Sequence, residues 1–263
     1  MDHVQPSYDL PWPPSLLCPQ AELRGLRPGD EVLGFCQGAF AEYACAEADK
    51  VVPKPVSLTF EQAAAVPMAA LTALQGIRDV GQVRAGHRVL VNGAAGGVGT
   101  YAVQIAAALG AEVTGVCSTR NAGLVRSIGA AHVIDYTTED FTSGRARYDV
   151  ILDNVGNRPL SRLRRALTPT GTLVLNGGGS PGHVFGPVAG ILRAVVVNGL
   201  VRERLRLIPH EQKREQLLTL TGLIEAGKLT PVLDRTYPLA GTAEGLRRVE
   251  QGHARGKVVI TVA

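Results

Sequence analysis

The stretch that most constrains this chain is VLVNGAAGGVG at 89–99, which runs without a break into TYAVQIA at 100–106. An apolar strand, a glycine-rich turn and a helix start follow one another there with no spare residues. A dinucleotide-binding turn needs that order, and its G-x-G-x-x-G fingerprint maps here to Ala94, Gly96 and Gly99. Gly96 would let the backbone approach a pyrophosphate, and Gly99 would let the helix pack closely on the strand. The first N–H groups of that helix have no intrahelical partner and would face the anion. A glycine-rich turn alone is common; here the strand before it, the helix after it and the segments that follow all agree.

Those segments alternate. Helical spacing at 98–109, 122–128 and 160–167 is interleaved with apolar strand runs at 88–92, 112–117, 132–135, 150–153 and 172–175. Another strand is expected at 194–201 and another helix at 210–226. Such βαβ alternation implies an α/β fold, a Rossmann-type doubly wound parallel sheet covered by helices on both faces. Upstream, a strand run at 31–35 and an alternating run at 39–45 read as a small β-rich piece. The two prolines in 50–56 forbid a helix there. Thr59 with Gln62 three positions on forms a capping box for a helix at 59–65, and after Pro67 the helical pattern continues over 68–80. The tail returns to β character, with strands at 234–238 and 257–262 around a helix at 242–251.

Composition narrows the function classes. The net charge of +4, from 27 basic and 23 acidic residues, is a mixed solvated surface rather than a nucleic-acid footprint. No run is long and apolar enough to span a bilayer, and the proline-rich start lacks the basic end and apolar run of a signal peptide. Cys18, Cys36, Cys45 and Cys117 have no CxxC spacing and join no Cys/His cluster, so no metal site is expected and a reduced, cytoplasmic protein is. A hydrolase is disfavoured because the few histidines are expected on loops or strand ends rather than beside a nucleophile.

The residues closing the second strand bear on the cofactor. An acidic residue there would hold a ribose 2′-hydroxyl, but the chain offers Ser118, Thr119 and Arg120. Hydroxyls and a guanidinium suit a 2′-phosphate, which favours NADP(H) over NAD(H). Arg120 by itself also reads as a solvent-exposed cap residue.

From Gly29 onward the chain resembles the zinc-independent quinone oxidoreductases and enone reductases of the medium-chain dehydrogenase/reductase superfamily. The matching text is PGDEV at 28–32, GAFAEY at 38–43, AAAVP at 63–67 with LTA at 71–73, and NGAAGGVG at 92–99. It continues with GAAHVIDY at 129–136, YDVILDNVG at 148–156 and GHARGKVVI at 252–260. The resemblance implies Ala95, Gly96, Gly97 and Val98 along the pyrophosphate, and Ser118, Arg120 and Tyr136 around the 2′-phosphate. It also implies Asn154, Val155, Gly177 and Gly178 along the nicotinamide riboside, with Thr72 beside the nicotinamide. On the residues alone Thr72 is an ordinary helix position, and Tyr136 reads equally as a half-buried aromatic at a strand end. Three regions are expected: a leader or arm over 1–27, a truncated GroES-like β-rich domain over 28–66 and 232–263, and an NADP-binding Rossmann domain over 67–231.

The resemblance further implies NADPH-dependent hydride transfer to a small-molecule substrate, a quinone or an α,β-unsaturated carbonyl. Conjugation polarises such acceptors, so the reaction does not require zinc. It also implies a homodimer paired through the edge strand at 194–201. No catalytic residue beyond Thr72 is named, because family members carry a longer N-terminal region that lines the cleft. Two alternatives stay open: an NADPH-binding protein without turnover, and a non-redox cyclase or isomerase on the same fold.

Overall fold

Residues 25–176, 202–252 and 254–262 are described by a computed structural model, and their strands form one six-stranded sheet and two ladders of two strands. β1 (Val32–Gly34) pairs antiparallel with β2 (Val51–Pro53). The alternating run at 39–45, expected as a strand, is not one. All seven of its residues are exposed, Tyr43 at 90%, and no strand among the described residues lies beside it. Alternation supplies a face, but a strand forms only where a neighbour takes up its backbone groups.

α1 (Phe60–Ala65) starts as its sequence requires. The Thr59 hydroxyl accepts from the Gln62 backbone N–H at 3.2 Å, and the Gln62 side chain accepts from the Thr59 N–H at 3.0 Å. Pro67 then opens α2 (Pro67–Leu74) at the one place where a missing N–H costs nothing. The helix expected to run to Val80 does continue, but as a π-helical turn over Gln75–Val80. Buried Gln75 there donates to Gln216 at 2.8 Å and to the Glu211 carbonyl.

The central sheet contains β3 (Arg88–Asn92), β4 (Glu112–Cys117), β5 (His132–Asp135), β6 (Tyr148–Asp153), β7 (Leu167–Leu175) and β8 (Arg204–Leu207). Every pairing is parallel, in the order β5-β4-β3-β6-β7-β8. Relabelled from β3, that is the 3-2-1-4-5-6 order of a dinucleotide-binding sheet. The connecting helices are α3 (Gly97–Ala108), α4 (Ala122–Ser127) and α5 (Leu160–Arg165), and α6 (Arg214–Glu225) follows β8. β3 is buried throughout Val89–Asn92, as a strand covered on both faces must be.

Several boundaries moved, and one strand is new. β7 starts at Leu167, cutting short the helix expected to 167. His210 takes a left-handed backbone, φ 53°, and the helix expected from 210 begins at Arg214. β8 was not expected at all; in RLRL at 204–207 only Leu205 is buried, a weak signal among arginines. The strand expected at 194–201 with its dimer edge, and residues 1–24 of the arm expected over 1–27, lie outside the described residues.

The chain closes with β9 (Leu233–Pro238), α7 (Thr242–Glu250) and β10 (Lys257–Thr261), β9 and β10 pairing in parallel. β10 reaches back to the central sheet. Gly256 bridges to Gly96, and its N–H donates to the Ala95 carbonyl at 2.9 Å. No helix among the described residues is long and apolar enough to cross a membrane.

Candidate functional site

In this strand order the chain leaves β3 toward β4 on one side, while β6 leads toward β7 on the other. The carboxyl ends of β3 and β6 therefore flank a crevice, the place where open α/β sheets bind ligands. The glycine turn after β3 forms one wall of it. Gly93 has φ 77°, a left-handed conformation that suits glycine, and its carbonyl accepts from the Gly96 N–H at 3.1 Å. Gly99 sits where a Cβ would fall 2.0 Å from the Gly93 carbonyl oxygen and 2.8 Å from the Ala94 Cα. Only glycine lets α3 rest this close to the turn. At Gly96 the space is open instead: a Cβ would meet nothing nearer than the Gly93 oxygen at 3.4 Å.

No side chain caps α3 at its start. Its first N–H groups, from Gly97 to Gly99, lack intrahelical partners and carry the positive end of the helix dipole. An uncapped helix start beside a side-chain-free residue fits a pyrophosphate. Ala95 is buried and Val98 half-buried, so at those positions the wall is backbone and methyl groups.

The β6 side of the crevice is held by a polar network. Asp153, 3% exposed, accepts through one carboxylate oxygen from Asn92 Nδ2 at 2.8 Å and from the N–H groups of Val155 and Gly156. Its other oxygen is buried without a hydrogen-bond partner. Asn154 donates to the Asn92 carbonyl at 3.0 Å and accepts from Asn176 at 2.8 Å. Val155 leans over the glycine turn, its Cγ2 2.9 Å from where a Gly93 Cβ would stand. The structure thus brings Asn154 and Val155 to the turn that carries Gly96.

Ser118, Thr119, Arg120 and Tyr136 also come together. Cys117 pairs with Asp135 in the β4–β5 register, and the Tyr136 N–H donates to the Cys117 carbonyl at 3.1 Å. Ser118 is half-buried and accepts from Asn121 at 3.2 Å; Thr119, Arg120 and Tyr136 are exposed. Sequence reasoning missed Asp135. Its carboxylate accepts from the Thr119 hydroxyl, and from the Thr137 N–H at 2.9 Å and hydroxyl at 2.7 Å. The Thr119 hydrogen bond, followed by those of Thr137, holds the Asp135 carboxyl below the usual carboxylate range. The Thr119 hydroxyl is therefore taken up by Asp135, with Ser118 and Arg120 next along the chain.

Thr72 makes no hydrogen bond to these groups among the described residues. It is buried in α2, which packs on α3, and its hydroxyl donates to the Met68 carbonyl at 2.8 Å, one turn back. Gly177 and Gly178 lie outside the described residues. A second residue missed from sequence is Lys257, whose side chain crosses Gly97: a Cβ there would come 2.8 Å from Lys257 Cδ and 3.7 Å from its Nζ. Among the described residues, no three His, Cys, Asp or Glu side chains stand together as metal ligands.

The family model described as "Zinc-binding dehydrogenase" matches residues 128–260, a stretch that holds no cysteine. The mouse protein named NAD(P)H oxidoreductase RTN4IP1, mitochondrial, is 36% identical over 92% of this chain. A tomato protein named 2-methylene-furan-3-one reductase is 32% identical over 91% of it. The chain spans 66% of the length of the mouse relative and 59% of the tomato one. Among solved structures, the quinone oxidoreductase from Coxiella burnetii superposes with a TM-score of 0.77 at 30% identity, covering 91% of this chain and 74% of that one.

Proposed function

This chain belongs to the zinc-binding dehydrogenases of the medium-chain dehydrogenase/reductase superfamily, and on that premise we propose that it is an NADPH-dependent reductase acting on a quinone or an α,β-unsaturated carbonyl. The observation that carries the reading is the uncapped start of α3 behind an open Gly96, at the point where the strand order reverses. The bound dinucleotide supplies the hydride, and the protein binds, orients and excludes water. In that division of labour the α3 amides and the Gly96 opening take the pyrophosphate. The network from Asp153 through Asn92, Asn154 and Asn176 fixes the opposite wall, so that the nicotinamide end meets a preformed surface. Thr72, Gly177 and Gly178 stay in the proposal as residues of the nicotinamide end.

Preference for NADPH rests on Ser118 and Arg120, a hydroxyl and a guanidinium at the end of β4. Tyr136 beside them would cover the adenosine. Asp135 is the observation that favours NADH instead, because its charge opposes a phosphate close by. In this reading the guanidinium outweighs that charge, because its fork of N–H donors suits a phosphate. The domain division, the homodimer and a cytoplasmic setting complete the proposal. Sedimentation tests the dimer, and fractionation tests the compartment, for which the mouse relative's name reads mitochondrial.

Fluorescence titration with NADPH and NADH comes first, followed by nicotinamide absorbance with a panel of quinones and enones. NADPH is expected to bind at least about tenfold tighter, the worth of a charge-assisted contact to the phosphate, and to be oxidised by some member of the panel. Tighter NADH binding would overturn the choice of cofactor. Binding with no acceptor turned over would favour a binding protein or a non-redox enzyme.

A further inference from the structure

At the end of the sheet opposite the glycine turn lies a cavity of about 270 Å³. It is bordered by the residues that open β6 and β8, by β7, and by the loop that leads into β3. β3 is five residues long, so roughly 16 Å of strand separates this cavity from Gly93. Parallel register builds one wall: Val150 of β6 stands beside Thr172 of β7, and Thr172 beside Arg204 of β8. Loop residues Gly81, Gln82, Arg84 and His87 supply the other. Gly81 comes so close that a Cβ there would stand 3.1 Å from Val150 Cγ1. Gln82 follows with φ 50°, a conformation that a residue with a side chain rarely adopts.

Two groups in the lining have nothing to bond to. Thr172 is 6% exposed, and no described residue pairs with its hydroxyl. The Nδ1 of His87 is buried without a partner. Buried polar groups are nearly always paired, because an unmade hydrogen bond leaves the lost hydration uncompensated. The charges are unbalanced as well. Arg84 and Arg204 share the cavity with one carboxylate, Asp149, and neither guanidinium pairs with it or with any other described acid. Asp149 is engaged from within the protein instead, accepting from the Arg88 N–H at 2.9 Å and from the Thr168 hydroxyl at 3.3 Å.

We propose that this cavity is a second ligand site, separate from the dinucleotide crevice, and that it takes a small phosphorylated polyol. The guanidiniums of Arg84 and Arg204 hold the phosphate, for which their forked donors are suited. Thr172 and the Gln82 amide meet the hydroxyls of the polyol, which can both donate and accept. The cavity is smaller than the roughly 300–1,000 Å³ of a drug-sized pocket, so it has no room for a dinucleotide.

Calorimetric titration of the full chain with glycerol 3-phosphate tests this, with inorganic phosphate and glycerol as controls and with saturating NADPH present or absent. Glycerol 3-phosphate is expected to bind in both conditions, at least about tenfold more tightly than either control. Arg204→Gln, at an exposed position, should weaken it at least about tenfold, as loss of one charge-assisted contact does. Thr172→Val should weaken it too, while the ligand-free melting temperature holds or rises because an unpaired buried hydroxyl has gone. NADPH affinity should not change in either variant. Binding that disappears when NADPH is present would put the phosphate in the dinucleotide crevice and overturn the second site. Inorganic phosphate bound as tightly as the ester would overturn the polyol. Parent affinity in Arg204→Gln, or no binding by the parent chain, would overturn the proposal outright, and the Arg204→Gln result decides it even if Thr172→Val proves unstable.

Discussion

Gly96 and Gly99 belong to one fingerprint, yet the structure assigns them different tasks, and alanine at each should separate binding from folding. At Gly99 the added methyl would lie 2.0 Å from the Gly93 carbonyl oxygen and 2.8 Å from the Ala94 Cα. Both are backbone atoms of the adjoining turn, so relief requires α3 to move by more than an ångström. Overpacking on that scale costs about 3 kcal/mol. Alanine returns about 1 kcal/mol of helix propensity, which leaves roughly 2 kcal/mol of net loss. For a chain of this size that is a fall of roughly 4–8 °C in melting temperature. At Gly96 the backbone is extended, φ −80° and ψ 174°, which alanine adopts freely, and the nearest atom stands 3.4 Å away. Losing a preferred N-cap residue should cost under about 1 kcal/mol. The methyl would instead enter the opening through which a pyrophosphate must approach, so the NADPH Kd should rise at least about tenfold for the same small change. Scanning fluorimetry and NADPH titration of both variants decide the matter. If Gly96→Ala binds NADPH normally, the opening is not the pyrophosphate site. If Gly99→Ala melts with the parent, the helix does not depend on that close approach.

Three further outcomes follow from particular contacts. Thr59→Ala removes one half of the capping box and should cost about 0.5–2 kcal/mol, read as a lower midpoint in urea; an unchanged midpoint would mean that α1 is held by packing alone. Asp153→Ala takes one partner from the Asn92 amide, which keeps Asn157 at 3.2 Å, and the partners of the half-buried Val155 N–H and the exposed Gly156 N–H, so a loss of about 1–3 kcal/mol is expected, with weaker NADPH binding beside it; full affinity would detach the network from the site. The Asp140 carboxyl is lowered to about 2, first by the Thr142 N–H and, against the opposing effect of burial, by the Thr142 hydroxyl and Arg158. Its folded value lies below the unfolded one of about 3.9. Its contribution is therefore complete above about pH 4 and lost as pH falls through about 2. Asp140→Asn should flatten the melting-temperature profile in that window, and parallel profiles would refute the assignment.

What the sequence made legible was local or continuous. β3, β4 and β5 lie within the bounds expected of them, because strands buried in a parallel sheet read as unbroken apolar runs. The Thr59–Gln62 box is likewise complete within four residues. The dinucleotide turn was readable because its glycines answer to the strand and helix that touch them. The misses depend on partners far along the chain. The run at 39–45 has the alternation of a strand and no described neighbour to pair with. Thr119 looks like a phosphate donor until the β4–β5 register brings Asp135 up to its hydroxyl.

Lys54 and Lys257 carry the same contrast into the site itself. Nothing in the text around either lysine says which will be neutralised within the protein. Lys54 gains Glu31 because the β1–β2 ladder aligns their segments, and the Lys54 N–H donates to the Glu31 carbonyl at 2.9 Å in the same pairing. Lys257 gains no described acid, because β10 docks onto a turn built from glycine and alanine, residues without charge.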